Sequence, residues 1–276
     1  MAEKFRNSKN ESSLAGKAVQ RIRQGNFYRT GNYSGNQVYN VVKTKTQLYR
    51  TERRSQCLRT VYRAFFDLAV YQDDIQSMLE KHNIEKLVQY ERYCRDNGMF
   101  DEMEKCYAED SHVKITWFDG NGREFVRRSA KMAEGRKTDP YFMPKHKIYN
   151  TFVWLNGEKA IAECQCMMFN YHNIDGTVYN REGFARLLYR VEKINGVWQV
   201  ESMDCIYERD FMVPVVPGTG KQFTEADFAK YRKSYKCISW IFDHTGMPCS
   251  MDEAGDDKPE TVEKLYKEAS AWLFSD

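Results

Sequence analysis

The stretch that decides the fold reads PKHKIYNTFVWLNGEKAIAECQCMMFNYH over residues 144–172 and REGFARLLYRVEKINGVWQVESMDCIYER over residues 181–209. Apolar and polar residues alternate through both, the period of a half-buried strand. Asn156-Gly157 and Asn195-Gly196 interrupt the alternation. Asparagine and glycine tolerate the positive φ of type I′ turns, so each pair marks a tight hairpin connection. The spacing predicts strands over about 146–155, 158–171 and 182–194, and a fourth over 197–209. His146 is the ionisable residue that opens the first of them. Strict alternation would place His146, Ile148, Asn150, Phe152 and Trp154 on one face of that strand.

Upstream the period changes. Leu58, Val61, Phe65, Leu68 and Ile75 recur near helical spacing from about Ser55 to His82. Asn83 reads as the N-cap of a second helix over 84–96, whose stripe Ile84, Leu87, Val88, Glu91 and Cys94 carries one polar residue, Glu91. Asn97-Gly98 ends it. Residues 99–110 then read as a shorter helix, 111–118 as a strand, 119–122 as a turn and 123–128 as a short return strand. A further helical turn or two follows over 129–137. After Pro214 a proline- and glycine-rich loop leads to helical text over 225–244 and to a last helix from Pro259, a residue suited to a first turn. Helices followed by a curved antiparallel sheet make an α+β domain. Three segments result: a basic, polar N-terminal arm over 1–59, the α+β domain over 60–214, and a C-terminal helical extension over 215–276.

The net charge of +3 is unevenly distributed, with +10 in residues 1–59 and −7 in the remainder. The arm is poor in Leu, Ile and Phe, so it has little surface to bury on its own. Its tyrosines and valines suit a protein surface on a second copy of the chain better than nucleic acid, and without such a surface it is expected to be extended or partly disordered. The eight cysteines include no CxxC pair and no Cys/His cluster at zinc spacing. Cys164 and Cys166 alternate with Ala160 and Ala162 as small buried residues. No apolar run approaches the ~20 residues that span a bilayer, and the first residues lack the apolar segment of a secretory signal. A cytoplasmic, reduced protein is expected.

A histidine facing an apolar surface stays neutral near pH 7, because burial disfavours its cation, and can then accept a proton. Asp96 ends the helix over 84–96, where a carboxylate opposes the helix dipole unless a partner offsets it. Two readings stand for this pair. Each residue is structural, or Asp96 orients His146 as the acid member of a base dyad does. Arg186 and Asp204 also carry charge on otherwise apolar strands, either as a structural ion pair or as pocket groups.

The segments RYCRDNGMFDEMEKCYAEDSHVKITWFDGNG (92–122), KHKIYNTFVWLNGEKAIAEC (145–164) and YRVEKINGVWQVESMDCIYERDF (189–211) resemble the SnoaL-like branch of the nuclear transport factor 2-like superfamily, nearest to the bile-acid 7α-dehydratases and scytalone dehydratases. The resemblance covers about residues 80–214. It implies a cone-shaped fold, with a strongly bent sheet wrapped round helices and a deep apolar pocket that often holds a ring-shaped ligand. Asp96 and His146 match the dehydratases' catalytic pair, and Tyr93 and Tyr90 stand nearest the helix tyrosine. Trp117 replaces the first-strand tyrosine. Cys205 falls where the bile-acid enzymes carry an arginine, and Met168–Asn170 where an acid or histidine is expected, with His172 close by.

The reading that follows is a lyase that removes water from a cyclic hydroxylated small molecule. His146 acts as base, Asp96 as its positioning acid, Tyr93 or Tyr90 assists the leaving hydroxyl, and no metal or organic cofactor is called for. Trp117, Asn150, Phe152, Met168, Arg186 and Asp204 line the pocket on this reading. The alternatives are a non-catalytic binding or assembly protein on the same fold, and an isomerase or cyclase using the same pocket. A homo-oligomer, dimer or trimer, is expected through outer-face residues such as Tyr149, Val153, Leu155, Ile161, Met167 and Phe169.

Overall fold

The structure, a computed structural model, describes residues 73–135 and 139–275. The arm over 1–59, and the helical reading from Ser55 as far as residue 72, lie outside the described residues. Four long strands form the body of the sheet: β3 (Lys145–Asn156), β4 (Lys159–Ile174), β5 (Thr177–Ile194) and β6 (Val197–Pro214). Two shorter ones, β1 (Tyr107–Ile115) and β2 (Phe118–Asn121), complete the order β2-β1-β6-β5-β4-β3. The strands exceed the predicted lengths because Asp175-Gly176, with φ of 50° and 81°, makes a third tight turn. Asn195-Gly196, at 52° and 81°, has the two left-handed residues of a type I′ turn. At Asn156-Gly157 only Gly157 is left-handed, at 60°, which is the mark of type II′ rather than I′.

The architecture is α+β, a curved sheet packed against helices, with one departure from a wholly antiparallel sheet: β1 runs parallel to β6. A parallel neighbour needs a crossover. Here that crossover includes helix α3 (Gly122–Glu134), after which the chain returns through β3 at the opposite edge of the sheet.

The helices correct several local expectations. Helix α1 (Ile75–Asp96) runs unbroken through Asn83, which is exposed, and Asp74 caps it by accepting from the Ser77 amide at 2.7 Å. Buried Ile84 and Val88 carry the stripe onward, and an exposed asparagine costs a helix interior only tenths of a kcal/mol, roughly 0.5. Helix α2 (Phe100–Lys105) stops early because fully buried Tyr107 is drawn into β1, where its hydroxyl donates to Glu91 at 2.8 Å. Residues 123–128 are helix, not strand. The Asn121 side chain accepts from the amides of Arg123 and Glu124, and Phe125, Val126, Ser129 and Ala133 form the buried side of α3. Residues 225–235 hold two short 3-10 turns, and helix α4 (Lys236–Thr245) begins only after them. Helix α5 (Pro259–Leu273) starts at the predicted proline. None of the described helices is long and apolar enough to cross a membrane.

The two faces of the sheet have different coverings. Ala160, Ala162, Cys164 and Cys166 of β4 turn inward with Tyr189 and Val200 towards Ile84 and Val88 of α1 and Phe125 of α3. Trp154, Ile161, Leu188 and Ile206 turn outward and are sealed by Val262, Leu265, Tyr266 and Ala269 of α5. The small residues let the helices approach the inner face, while the large ones meet α5. The C-terminal segment therefore closes this chain's own outer face. Val153 and Ile161 are buried within the chain, which leaves Tyr149, Met167 and Phe169 as the outer apolar groups for any dimer or trimer.

Ile161→Ala removes a side chain packed wholly inside the cluster under α5 and should cost ~2–4 kcal/mol of unfolding free energy. Val197→Ala, at a 61% exposed position, should cost under ~0.5 kcal/mol. Urea denaturation of the two variants checks the contrast, and equal losses would refute the packing assigned to α5.

Candidate active site

The site begins where α1 ends. Asp96 closes that helix and β3 opens beside it, and three hydrogen bonds join them. The Asp96 carboxylate accepts the His146 amide at 2.5 Å and His146 Nδ1 at 2.6 Å, and Lys145 Nζ donates to the Asp96 carbonyl at 2.6 Å. A carboxylate at a helix C-terminus needs such donors, because the dipole there repels it. An ionised carboxylate only accepts, so Nδ1 carries the proton and the opposite ring nitrogen, Nε2, presents a lone pair. Nε2 has no partner among the described residues, and His146 lines a cavity.

Electrostatics keep the pair in that form. Burial of the His146 ring, only 6% exposed, pushes its pKa below the ordinary 6.5, helped by the charges of Arg92 and Arg95 and opposed by Asp96. Burial alone would raise the Asp96 carboxyl. Hydrogen bonds and charge from His146, with Arg92 behind them, outweigh it, so the pKa lies below 3.8. Near pH 7 the pair is a neutral imidazole on a carboxylate, which is a base ready to take one proton.

The cavity encloses about 100 Å³ and is partly open to solvent. Ile115, Trp117, Phe125, Met168, Leu187, Met203 and Cys205 supply its apolar wall. Its polar lining holds three guanidiniums, Arg92 and Arg95 from α1 and Arg181 from β5, together with His146, His172, Thr116, Asn170 and Tyr207. Among the described residues no carboxylate lines it. The pocket that the resemblance implies is largely apolar here, with three guanidiniums among its lining residues. Arg92 is held by Glu91 in a two-pronged ion pair that also takes the hydroxyls of Tyr107 and Tyr189. That network explains the single polar residue on the buried stripe of α1. Arg95 lies over the Phe125 ring, 5.7 Å from its centroid. Loss of solvent, then the neighbouring Arg92 charge, push its guanidinium down to about 10, still fully charged at neutral pH.

His146, Trp117 and Met168 therefore lie in the cavity wall, with Asp96 directly behind His146. The other residues proposed from sequence lie elsewhere. Tyr90 and Tyr93 point away, 41% and 58% exposed, because Arg92 and Asp96 occupy the inward positions of that helical turn. A β-bulge between Tyr149 and Phe152, with Asn150 at φ 34°, resets the alternation of β3. Val153 then faces inward, while Asn150 and Phe152 are exposed and Trp154 joins the outer cluster. Arg186 is on the outer face, paired with Glu208 and, at 3.1 Å, with Asp256 rather than with Asp204. Asp204 stands opposite Leu188 on that same face, where burial raises its pKa to about 6.

Sequence reasoning missed Arg92, Arg95, Arg181, Thr116 and Tyr207 in the wall. For Arg92 and Arg95 a signal existed: each stands one residue from an inward member of the stripe, Glu91 or Cys94, and shares that side of the helix. Tyr207 brings a phenol in from β6, donating to Thr116 Oγ1 and accepting from the Thr116 amide, both at 3.1 Å.

Residues 76–204 match the family model of the SnoaL-like domain. Pea pathogenicity protein 2 of Fusarium vanettenii is 24% identical over 206 residues, 71% of this chain and 86% of that protein. An uncharacterised protein of Emericella nidulans is 23% identical over 209 residues, covering 71% of this chain and 87% of its own. Among solved structures, one assigned as a scytalone dehydratase of Novosphingobium aromaticivorans aligns over 52% of this chain and 97% of its own, with 15% identity and a TM-score of 0.41. A hexachlorocyclohexane dehydrochlorinase aligns over 54% and 98%, with 13% identity and a TM-score of 0.41.

The His146 ring should titrate below 6.5 in the folded chain, with Nδ1 protonated at neutral pH, as read by nitrogen NMR of the imidazole. Asp96→Asn removes the one charge that raises it, so the titration should move lower still. Because the folded His146 pKa is depressed, its neutral form is favoured in the native state. Its contribution is complete above about pH 6.5 and is lost as pH falls below that value. Unfolding midpoints at pH 7.5 and 5.5 should therefore differ more for the native chain than for His146→Ala.

Proposed function

We propose that this chain, a member of the SnoaL-like family through residues 76–204, is a small-molecule lyase that removes water from a compact, cyclic hydroxylated substrate. The observation that carries the reading is the buried His146, whose Nδ1 is committed to Asp96 and whose Nε2 is unpartnered on a residue lining the cavity. In the proposed step Nε2 takes the proton from a carbon next to a carbonyl. The electron pair moves onto the carbonyl oxygen as an enolate, which the nearby guanidiniums stabilise electrostatically. When the carbonyl re-forms, a double bond closes and the bond to the neighbouring hydroxyl breaks. The proton held on Nε2 leaves with that oxygen as water, so His146 returns to its starting form. Asp96 is a positioning residue that holds the ring and offsets its transient cation.

The enclosed volume of about 100 Å³ is below the ~150 Å³ cavity that takes up a benzene molecule. That volume suits a compact ligand, part of which stays in the open mouth. A second reading, a ligand-binding protein without catalysis, draws on one observation: Tyr90 and Tyr93 are both on the exposed side of α1, so neither hydroxyl assists a leaving group. A base without a leaving hydroxyl would instead isomerise its ligand.

The test is a panel of cyclic hydroxy-ketones and hydroxy-acids incubated with the full chain, read by mass spectrometry for products lighter by one water. His146→Ala keeps the backbone amide that binds Asp96, so it should fold. It should lose ~10²–10⁴-fold in turnover. Turnover unchanged in that variant would end the lyase reading, and ligands retained without conversion would support the binding protein.

A further inference from the structure

The row of residues that crosses the sheet at His146 has an unusual member. His146 pairs with Met168, Met168 with Gly183, and Gly183 with Asp210, each on the next strand. Residues directly opposite one another share a face, so this row runs across the inner face and Gly183 leaves a gap in it. Arg181, two residues along β5 on the same face, fills the gap: a Cβ added at Gly183 would strike the Arg181 guanidinium. Two strand spacings, roughly 10 Å, separate the backbones of His146 and Gly183. An imidazole and a guanidinium thus stand in one row with Met168 as the floor between them.

That guanidinium is under-used. Arg181 is 4% exposed, yet its Nε has no hydrogen-bond partner, and its only ion pair among the described residues is a long contact of 3.4 Å from Nη2 to Asp210. Asp210 is already engaged, accepting the Cys237 and Ile238 amides at the start of α4 at 3.0 and 2.8 Å. The other two nearby carboxylates are spent in the same way, Glu91 on Arg92 and Asp96 on His146. These three acids are bound to protein, while Arg181, a lining residue, keeps a buried Nε without a hydrogen-bond partner and the Arg95 side chain has no hydrogen bond among the described residues. Burying an unpaired donor of a cation is costly unless a ligand completes it.

We infer that the cavity recognises its ligand through an anionic group, a carboxylate on a small cyclic acid, which Arg181 grips above Gly183 while Arg95 adds its charge. This deepens the small-molecule reading above and rests on the cavity being a ligand site. The carboxylate would lie at the Arg181 end of the row and the ring across Met168, so the bond nearest His146 belongs to the far side of the ring. Arg181 is a specificity residue, and Gly183 is conformational support for it.

The test is calorimetric titration of the full chain with benzoate, benzamide and phenyl phosphate. A charge-assisted pair should favour benzoate over its neutral isostere by ~10-fold or more. Arg181→Met should erase that preference, and Arg181→Lys should restore part of it. Gly183→Ala, which keeps the charge but displaces the guanidinium, should weaken benzoate at unchanged melting temperature. His146→Ala should keep the preference, which separates recognition from turnover. Equal binding of benzamide and benzoate, or no binding of either anion, overturns the inference. Phenyl phosphate binding more tightly than benzoate overturns the assignment to a carboxylate. Water loss from a neutral hydroxylated ring, in a protein that shows no benzoate preference, removes the anion site and leaves the lyase standing.

Discussion

The Asp96 carboxylate joins a helix end, a strand edge and a base. It takes the His146 amide and ring with its two oxygens, so the start of β3 is set by the end of α1. The cavity lies between these elements. Without the two donors, a carboxylate at a helix C-terminus and largely removed from water would raise its pKa and neutralise. With them it stays ionised and dictates which nitrogen of His146 is free. One electrostatic requirement of the helix end therefore sets the tautomer of the candidate base.

A second constraint surrounds this one. The cavity holds three guanidiniums in its wall, and only the ion pair of Glu91 with Arg92 is fully knitted, through two tyrosine hydroxyls as well. Buried ion pairs of this kind are weak contributors to stability but expensive to break from one side. They suit a scaffold that must hold charge in place. Burial, with the charges of Arg92 and Arg95, depresses the His146 pKa, and Arg181 adds a third guanidinium to the cavity lining. The same lining would also receive an anion.

Much of the sheet was legible because period-two patterning and Asn-Gly pairs are local signals. The Asp175-Gly176 turn that lengthens β4 and β5 was missed, although its two positive φ values need residues of that type. The return strand expected over 123–128 failed for an equally local reason: the Asn121 side chain caps a helix there. The faces of β3 were not legible past Tyr149. A bulge inserts a residue without changing composition, and it moved Asn150, Phe152 and Trp154 off the inner face. Arg186 and Asp204 failed differently. Alternation placed them on a common face, and only the docking of α5 and the Asp256 loop made that face the outer one.

By itself the sequence determined that the domain is α+β, where two of its hairpin turns fall, which small residues line β4, and that His146 and Asp96 are the pair to watch. Turn chemistry and side-chain period act within a few residues, so they are written locally. Tertiary structure alone decided that Tyr90 and Tyr93 face away, that Arg181 folds over Gly183, and that three guanidiniums stand beside the apolar wall of the pocket. Those outcomes depend on which strand lies beside which and on where the bulges fall. They depend too on which carboxylates are consumed by amides from distant segments, such as Cys237 and Ile238 on Asp210. Partners so far apart along the chain are chosen by packing, and no window of sequence contains both.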